Sequence, residues 1–222
     1  MEFVPKPWGF EYRIEVSENV ALTFLVIKGS KETSLHCHPV KTTSMVCLGG
    51  LGKIKFFNSS FELTPGEGFT IRNGLFHQIV NINPSEDLEL LEFENPPNRF
   101  DLIRFSDSYG RESQPYEESK DEEGVSVGAG VRKLIKDGVG TLEIGNVGIT
   151  VKGITRENRF ADIGNCNYVV LSGGVEDTNS AQLVLRPADF VREDTLRRLI
   201  ERFEVRGPFQ VLEIQKRGQS DK

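Results

Sequence analysis

Three histidines are the residues of this chain whose type and spacing could do chemistry. His36 and His38 are separated by one residue, His77 lies in a later segment, and the 222-residue chain has no other histidine. In a β-strand, side chains two residues apart leave the same face, so His36 and His38 would present both imidazoles to one point while Cys37 faces away. A third imidazole from a later strand would complete a three-histidine metal site. The alternative is that each is an ordinary buried histidine.

The segments around these histidines resemble the two signature motifs of the cupins, a family of small double-stranded β-helix barrels that hold a metal ion. The first motif is matched by His36, His38 and the closing Gly49–Gly50 pair, whereas its opening glycine, Gly29, stands slightly early. The second is matched by Gly74, His77 and Asn81, which keep the spacing G-x2-H-x3-N. The resemblance covers about residues 4–95. It implies a barrel in which the three histidines bind a divalent metal ion.

One position departs from the cupin pattern. The family's glutamate ligand should stand at position 42 or 43, where this chain has Thr42 and Thr43. Three neutral imidazoles would leave the remaining coordination positions to water or substrate, as a catalytic metal requires. Imidazole suits several ions, so the sequence predicts a divalent metal without choosing among Zn, Fe, Mn and Ni.

The N-terminal run Pro5–Tyr12 resembles the entry sequence of cupins of the mannose-6-phosphate isomerase type. Ser34, Leu35 and His38 match that subgroup's first motif, and Lys41 stands where it has arginine. The resemblance implies chemistry on a sugar or sugar phosphate. Aldose–ketose isomerisation needs a base to move a proton between adjacent carbons and a cation to polarise the carbonyl.

Carboxylates and polar side chains on the predicted strands are the candidates for this chemistry. Glu92 and Glu94 could each supply the base, and the catalytic assignment is Glu92 together with Lys41. A phosphate would meet Lys41 or one of the other basic candidates. The predicted substrate contacts are Thr43, Lys53, Arg72 and Gln78. For each charged residue, an exposed surface position or a salt bridge is the alternative.

Short apolar runs rich in Val, Ile, Phe and Leu alternate with turn residues through the first hundred positions, which predicts a barrel or sandwich. With the resemblance, the predicted fold is all-β: double-stranded β-helix (cupin) barrels, duplicated, with a helix late in the second half. The predicted domains are a metal-binding cupin barrel (1–105), an acidic linker (106–124) and a second, degenerate cupin-like barrel without metal ligands (125–222).

Internal similarity is the reason for predicting duplication. Residues 149–174 parallel residues 24–50, and later blocks follow in matching order. When the Gly-Gly pairs are aligned, His36 falls on Phe160 and His38 on Asp162. Where the second copy should have the counterpart of His77, apolar residues at helical spacing predict a helix instead: Leu196, Leu199, Ile200 and Phe203. The second copy is therefore predicted to bind no metal; an unrelated β fold is the alternative.

The segment 106–124 is polar and ends in a run of acids, which indicates an exposed connector. The alternative is a lid over a site, which would use Tyr109, Arg111 and Tyr116.

Composition excludes several classes of protein. A net charge of −6 without a basic patch argues against nucleic-acid binding. Three cysteines without framework spacing indicate reduced thiols, and no apolar run is long enough to span a membrane. We therefore expect a cytoplasmic protein without a signal peptide. Its expected partner is a small molecule, and a homodimer is one of the oligomeric states that the sequence allows.

Three functions remain open at this point. The first is a metal-dependent isomerase-like enzyme acting on a sugar or sugar phosphate. The second is a three-histidine Fe(II) dioxygenase, a use that several cupins make of such a site. The third is a non-catalytic ligand-binding or sensor protein with a structural metal; the fold alone does not distinguish them.

Overall fold

The computed structural model describes residues 2–118, 120–121, 126–155 and 166–217. The first half contains eleven of the strands in these ranges: β1 (Glu2–Lys6), β2 (Gly9–Val16), β3 (Ala21–Ile27), β4 (Leu35–Cys37), β5 (Thr42–Gly49), β6 (Gly52–Lys55), β7 (Ser60–Leu63), β8 (Gly68–Ile71), β9 (Gln78–Asn81), β10 (Leu88–Asn95) and β11 (Ile103–Ser106).

The described part of the second half contains strands and two helices. In chain order these are β12 (Lys120–Asp121), α1 (Ser126–Asp137), β13 (Thr141–Ile144), β14 (Val147–Ile154), β15 (Asn167–Asp177), β16 (Gln182–Leu185), β17 (Phe190–Arg192), α2 (Glu193–Arg202) and β18 (Glu204–Lys216). Neither helix is long and apolar enough to cross a membrane. The three cysteines form no disulfide.

Two facing sheets form the barrel of the first half. The larger sheet has the strand order β12-β1-β2-β3-β10-β5-β8, and all its pairs are antiparallel. Opposite it lie the three-stranded sheet β7-β6-β9 and the pair β11-β4, which a backbone bridge between His36 and His77 connects. The strands predicted from apolar runs are present, and the predicted all-β fold is confirmed.

The larger sheet is buried on both faces, which explains why β3 is buried along its whole length and apolar at every position except Thr23. Alternate side chains enter the barrel, among them Leu25, Ile27, Met45, Leu88 and Leu90. Their neighbours face outwards and pack on the second half, among them Phe24, Val26, Val46, Leu91 and Phe93. One sheet therefore supplies both the wall of the barrel and the interface between the halves.

The second half repeats the strand order of the first. In the first half the strand order is β3-β10-β5-β8. In the second half the corresponding order is β14-β18-β15-β17, in which β17 pairs with β15. The hairpin β6-β7 corresponds to the pairing of the end of β15 with β16. This order supports the predicted duplication. Phe160 and Asp162, the positions aligned with the histidines, lie outside the described residues.

The late helix is confirmed, whereas the sequence analysis overlooked α1. Helix α2 begins at Glu193, buries Leu196 and Ile200, and stands between β17 and β18, where the first half has the segment leading to His77. Helix α1 packs Val131 and Leu134 into the interface between the halves. Gly128 and Gly130 within α1 lower its intrinsic helix propensity, so packing stabilises it.

The described part of the acidic segment, residues 106–118, makes specific contacts with the first barrel although most of its residues are exposed. Arg111 is 6% exposed. The Lys6 ammonium donates to Glu117 (2.7 Å), and the Tyr116 hydroxyl donates to Glu11. The sequence analysis did not anticipate the pair between Lys6 and Glu117, because these residues are 111 positions apart in the chain.

Polar contacts join the two halves at one corner. The Arg72 guanidinium donates to both oxygens of Asp189 (2.7 and 3.3 Å), and Asp189 is 2% exposed. The same carboxylate accepts the Arg186 backbone N–H (2.9 Å). The Asn167 side chain also donates to the Gly66 carbonyl (2.9 Å).

We expect Asp189→Ala to lower the free energy of unfolding by about 2 kcal/mol, because it removes charged hydrogen bonds from a buried site. The matched control is Asp87→Ala, which breaks an exposed ion pair with Lys28 and should cost less than about 1 kcal/mol. Urea unfolding of both variants measures the difference. Equal losses would contradict the role given to Asp189.

Candidate metal centre

The three histidines meet inside the first barrel. His36 lies on β4 and exchanges two backbone hydrogen bonds with His77, at 3.0 and 2.8 Å. His38 follows β4, and its carbonyl accepts the N–H of Gly74, whose positive φ of 78° turns the chain towards His77. One ring nitrogen from each histidine lies within 4.8 Å of the other two. The structure thus brings together the three residues predicted to bind metal.

Backbone carbonyls fix the orientation of all three imidazoles. Nδ1 of His36 lies 2.8 Å from the Ser34 carbonyl oxygen, that of His38 lies 2.6 Å from the Asp101 carbonyl oxygen, and that of His77 lies 3.0 Å from the Leu75 carbonyl oxygen. A carbonyl only accepts, so each Nδ1 carries the proton in the neutral ring. Each Nε2 therefore keeps its lone pair, as a metal ligand requires.

Unsatisfied polar atoms accompany this arrangement. Nε2 of His38 and of His77 are buried without a hydrogen-bond partner among the residues that the structure describes, and so is the hydroxyl of Thr43. Leaving such atoms unpaired costs about 1–3 kcal/mol each. A metal ion would use the two nitrogen lone pairs. The donor set therefore fits the divalent metal that the cupin resemblance implies.

Burial keeps the imidazoles neutral. It is the main reason why the pKa of His36 lies well below its ordinary value, with His77 and His38 lowering it further. Burial, with Lys41, lowers the pKa of His38 to about 2, and burial also lowers the pKa of His77 to about 4. No proton has to leave these rings at neutral pH before a metal binds.

Among the described residues, the metal-ligating group contains no carboxylate. Thr43 occupies one of the two positions of the missing cupin glutamate; it is fully buried, and its strand β5 sends Met45 and Cys47 into the barrel. An ion bound by His36, His38 and His77 alone would keep its full positive charge. It would also keep positions free for exchangeable ligands.

A cavity of about 60 Å³ adjoins the histidines. His36, His38 and Glu92 all line it, and Trp8 and Met45 contribute apolar wall. Burial, followed by repulsion from Glu94, raises the pKa of Glu92 to about 8. The raised pKa lets Glu92 hold a proton closer to neutral pH than an ordinary carboxyl group does, as a group that exchanges a proton with a substrate would.

Lys41, predicted to be catalytic or to meet a phosphate, is instead paired. Its side chain is 3% exposed and donates to the Glu94 carboxylate. Lys41 lines the cavity, but its charge is compensated by Glu94. Glu94, the second candidate base, is engaged in the same ion pair, which leaves Glu92 as the candidate acid or base.

The four predicted substrate contacts lie outside the lining of this cavity. Thr43 is buried beside it in the barrel wall, and Gln78 donates its side-chain N–H to the Thr33 carbonyl (2.9 Å). Lys53 lies on the outer face of β6, 3.9 Å from Glu62. Arg72 is bound to Asp189. Lys53 and Arg72 are thus paired with acids away from this cavity; the sequence shows their charge but not the direction of their side chains.

Two contributors to the site were missed by the sequence analysis. Asp101 orients His38 through its backbone, and its carboxylate accepts the N–H groups of Val40 and Lys41 (2.9 and 2.7 Å). Arg104 lines the cavity from β11. A period-two reading of β11 could have placed Arg104 on the inner face, since Ile103 and Phe105 are exposed on the other. Asp101 carries no sequence signal of this kind.

Comparison with known proteins finds similarity only among solved structures. No family model and no curated protein matches the chain. KdgF from a Halomonas species is 13% identical, with a TM-score of 0.41, over 44% of this chain and 89% of that one. A Klebsiella pneumoniae protein with a double-stranded β-helix domain is 16% identical, with a TM-score of 0.37, over 40% and 74% of the two chains.

A sugar phosphate isomerase of the cupin superfamily from Silicibacter pomeroyi is 16% identical, with a TM-score of 0.36. That similarity covers 40% of this chain and 59% of the other. The structural neighbours are thus cupin-superfamily proteins, as the motifs predict. Likeness at this level carries no argument about what this chain does.

We expect His36→Ala, His38→Ala and His77→Ala each to weaken metal binding at least about 10-fold, because each removes one of three ligands. The variants should stay folded by circular dichroism, since the barrel core around them is intact. The control is Cys37→Ser, whose side chain lies between the two histidines on the other face of β4. Metal content after purification is the measurement; unchanged content in any histidine variant would rule out this ligand set.

We expect the metal-free protein to keep its histidines neutral to unusually low pH. The imidazole NMR signals should show no titration between pH 8 and about 5, since the pKa of His77 lies at about 4 and that of His38 at about 2. Below pH about 6.5 the histidines of the unfolded chain take up protons, whereas those of the folded protein stay neutral. The free energy of unfolding should therefore increase as the pH rises to about 6.5. Signals that titrate near pH 6.5 would show that the rings are solvated.

Proposed function

We propose that this protein is a divalent-metal-dependent enzyme that moves a proton on a small hydroxy-carbonyl compound such as a sugar or sugar phosphate. The observation that carries the proposal is the shared cavity of His36, His38 and Glu92. A metal ion held by the histidines would polarise a carbonyl or hydroxyl oxygen of the substrate. Isomerisation is the reaction of this class that the cupin resemblance favours.

Glu92 is the group best suited to transfer the proton. Its pKa of about 8 lies near neutral pH, where a carboxyl group can both give and accept a proton during turnover. The pairing of Lys41 with Glu94 favours this assignment, because it engages Glu94 in an ion pair, whereas burial and repulsion from Glu94 raise the pKa of Glu92.

Enclosure of the cavity supports catalysis rather than simple metal storage. Trp8, Leu25 and Met45 contribute apolar lining, and Tyr116 and Arg111 of the segment 106–118 also line the cavity. A closed site excludes bulk water from a reactive enolate-like species and strengthens the electrostatic contacts within it. Its small volume selects a small polar substrate.

A three-histidine Fe(II) dioxygenase is the second candidate. It is favoured by the absence of a carboxylate from the ligand group among the described residues. Aerobic oxygen consumption with iron-loaded protein, on a thiol or phenolic substrate, distinguishes it from proton transfer. Neither activity, together with unfolding on metal removal, would leave a structural metal in a binding protein.

The direct test is isomerase turnover on a panel of hexoses and hexose phosphates, with Zn, Fe, Mn or Ni added back to stripped protein. We expect Glu92→Gln to lower kcat by about 10²–10⁴-fold while metal content stays unchanged, because the amide keeps the shape but cannot transfer the proton. The wild-type rate should rise with pH as Glu92 ionises, because only the carboxylate can take a proton from the substrate; a bound cation should place this rise at or below the metal-free pKa of about 8.

Glu89→Gln is the matched control on the same strand, since Glu89 lies outside the cavity lining and its substitution should leave kcat unchanged. Full activity of Glu92→Gln would refute the assigned role. Turnover without added metal would refute the metal dependence.

A further inference from the structure

Three cationic side chains converge on one carboxylate at the edge of the cavity. Glu117 lies 2.7 Å from the Lys6 ammonium and 3.5 Å from the Arg104 guanidinium, and it also accepts a hydrogen bond from Arg111. Lys6, Arg104 and Arg111 all line the cavity that His36 and Glu92 share. An anion recognised there would lie beside the candidate metal centre.

The three cations are held in place independently of Glu117. Arg104 donates to the carbonyl oxygens of Arg111 and Gln114 (3.3 and 2.7 Å). Asp107 binds the Arg111 guanidinium (2.6 and 3.0 Å), and Glu11 lies 3.3 Å from the Lys6 ammonium. Their side chains are only 3–7% exposed. The cluster would therefore keep its form if Glu117 moved away.

The charge balance of this cluster requires one anion. Lys6, Arg104 and Arg111 are compensated by Glu11, Asp107 and Glu117, so removal of Glu117 would leave one buried positive charge unpaired. A buried unpaired charge is costly, and another anion would have to replace it. In addition, Nε of Arg104 is buried and has no hydrogen-bond partner within the described part of the chain, which leaves a donor for a further acceptor.

We propose that Lys6, Arg104 and Arg111 form the binding site for a carboxylate group of the substrate, and that Glu117 occupies it until substrate displaces it. This inference rests on the proposed function and narrows it to hydroxy-carbonyl acids. A carboxylate matches the group now bound in both charge and shape, and Arg binds carboxylates with good geometry. A phosphate dianion would bring a second negative charge that the cluster does not balance.

Glu117 is suited to act as a replaceable occupant. Its side chain is 21% exposed, more than any of its three partners. A tethered carboxylate competes with free ligand at an effective concentration in the millimolar range, so its removal should tighten binding of a competing acid. The neutral Glu117→Gln variant keeps the shape, whereas Glu117→Ala opens the site.

The first experiment is chemical rescue of Glu117→Ala by acetate. The unfolding temperature of this variant is measured in sodium acetate and compared with that in sodium chloride and in sodium phosphate at equal ionic strength. Acetate should raise the unfolding temperature saturably, by about 3–6 °C at ten times its dissociation constant. Wild type and Glu118→Gln, an exposed neighbour in the same segment, should show no such effect. Adding Arg104→Met to Glu117→Ala should abolish the rescue.

The second experiment measures binding of glucuronate and of glucose to folded, metal-loaded protein by calorimetry. Glu117→Gln should bind glucuronate at least about 10-fold more tightly than wild type, and glucose binding should not change. Failure of both acetate rescue and tighter glucuronate binding would overturn the inference. An equal gain in affinity for glucose would also overturn the inference, since it would show only that the cavity had loosened. Rescue by phosphate but not by acetate would overturn the choice of a carboxylate as the ligand group.

Both readouts are independent of turnover. If anion binding behaves as expected but no substrate is isomerised, the proposed reaction fails and the anion site stands. If turnover occurs but the protein shows no preference for acids, the proposed reaction stands and the carboxylate site fails.

Discussion

Hydrogen bonds from imidazole Nδ1 atoms to backbone carbonyls are the interactions on which the site depends. They leave each Nε2 as an acceptor inside a buried space, where no donor from the described residues meets those of His38 and His77. Two of the carbonyls belong to the segments that carry the histidines, and the third, that of Asp101, comes from the chain after β10. The barrel must close before all three rings take their orientation, so site and fold form together.

The cavity combines two electrostatic environments within a few side chains. One wall consists of neutral imidazoles, whose pKa values burial keeps low, and it is ready to hold a cation. The other consists of compensated ion pairs, in which Lys41 meets Glu94 and Lys6 meets Glu11 and Glu117. Glu92 lies between these environments and carries the raised pKa. A metal that polarises a substrate, an acid that exchanges a proton and cations that hold an anion would thus act within one enclosed space.

The sequence was sufficient for the fold and the three histidines because both depend on local signals. Alternation in the strands, the His36-x-His38 spacing and the repeated block order all survive into the structure. The contacts of the 106–118 segment with the barrel were not predictable in this way, since the partners of Glu117 are up to 111 residues distant in the chain. Helix α1 was hidden by its glycines, and the true partners of Arg72 and Lys41 are set by side-chain direction and long-range pairing.

The most direct test of the account is X-ray absorption spectroscopy of the zinc-loaded full chain. The account predicts a first coordination shell with three imidazole nitrogens, no sulfur and the remaining positions taken by exchangeable oxygen ligands. A shell that contains a cysteine sulfur, or fewer than three imidazoles, would contradict the metal centre on which the rest of the account depends.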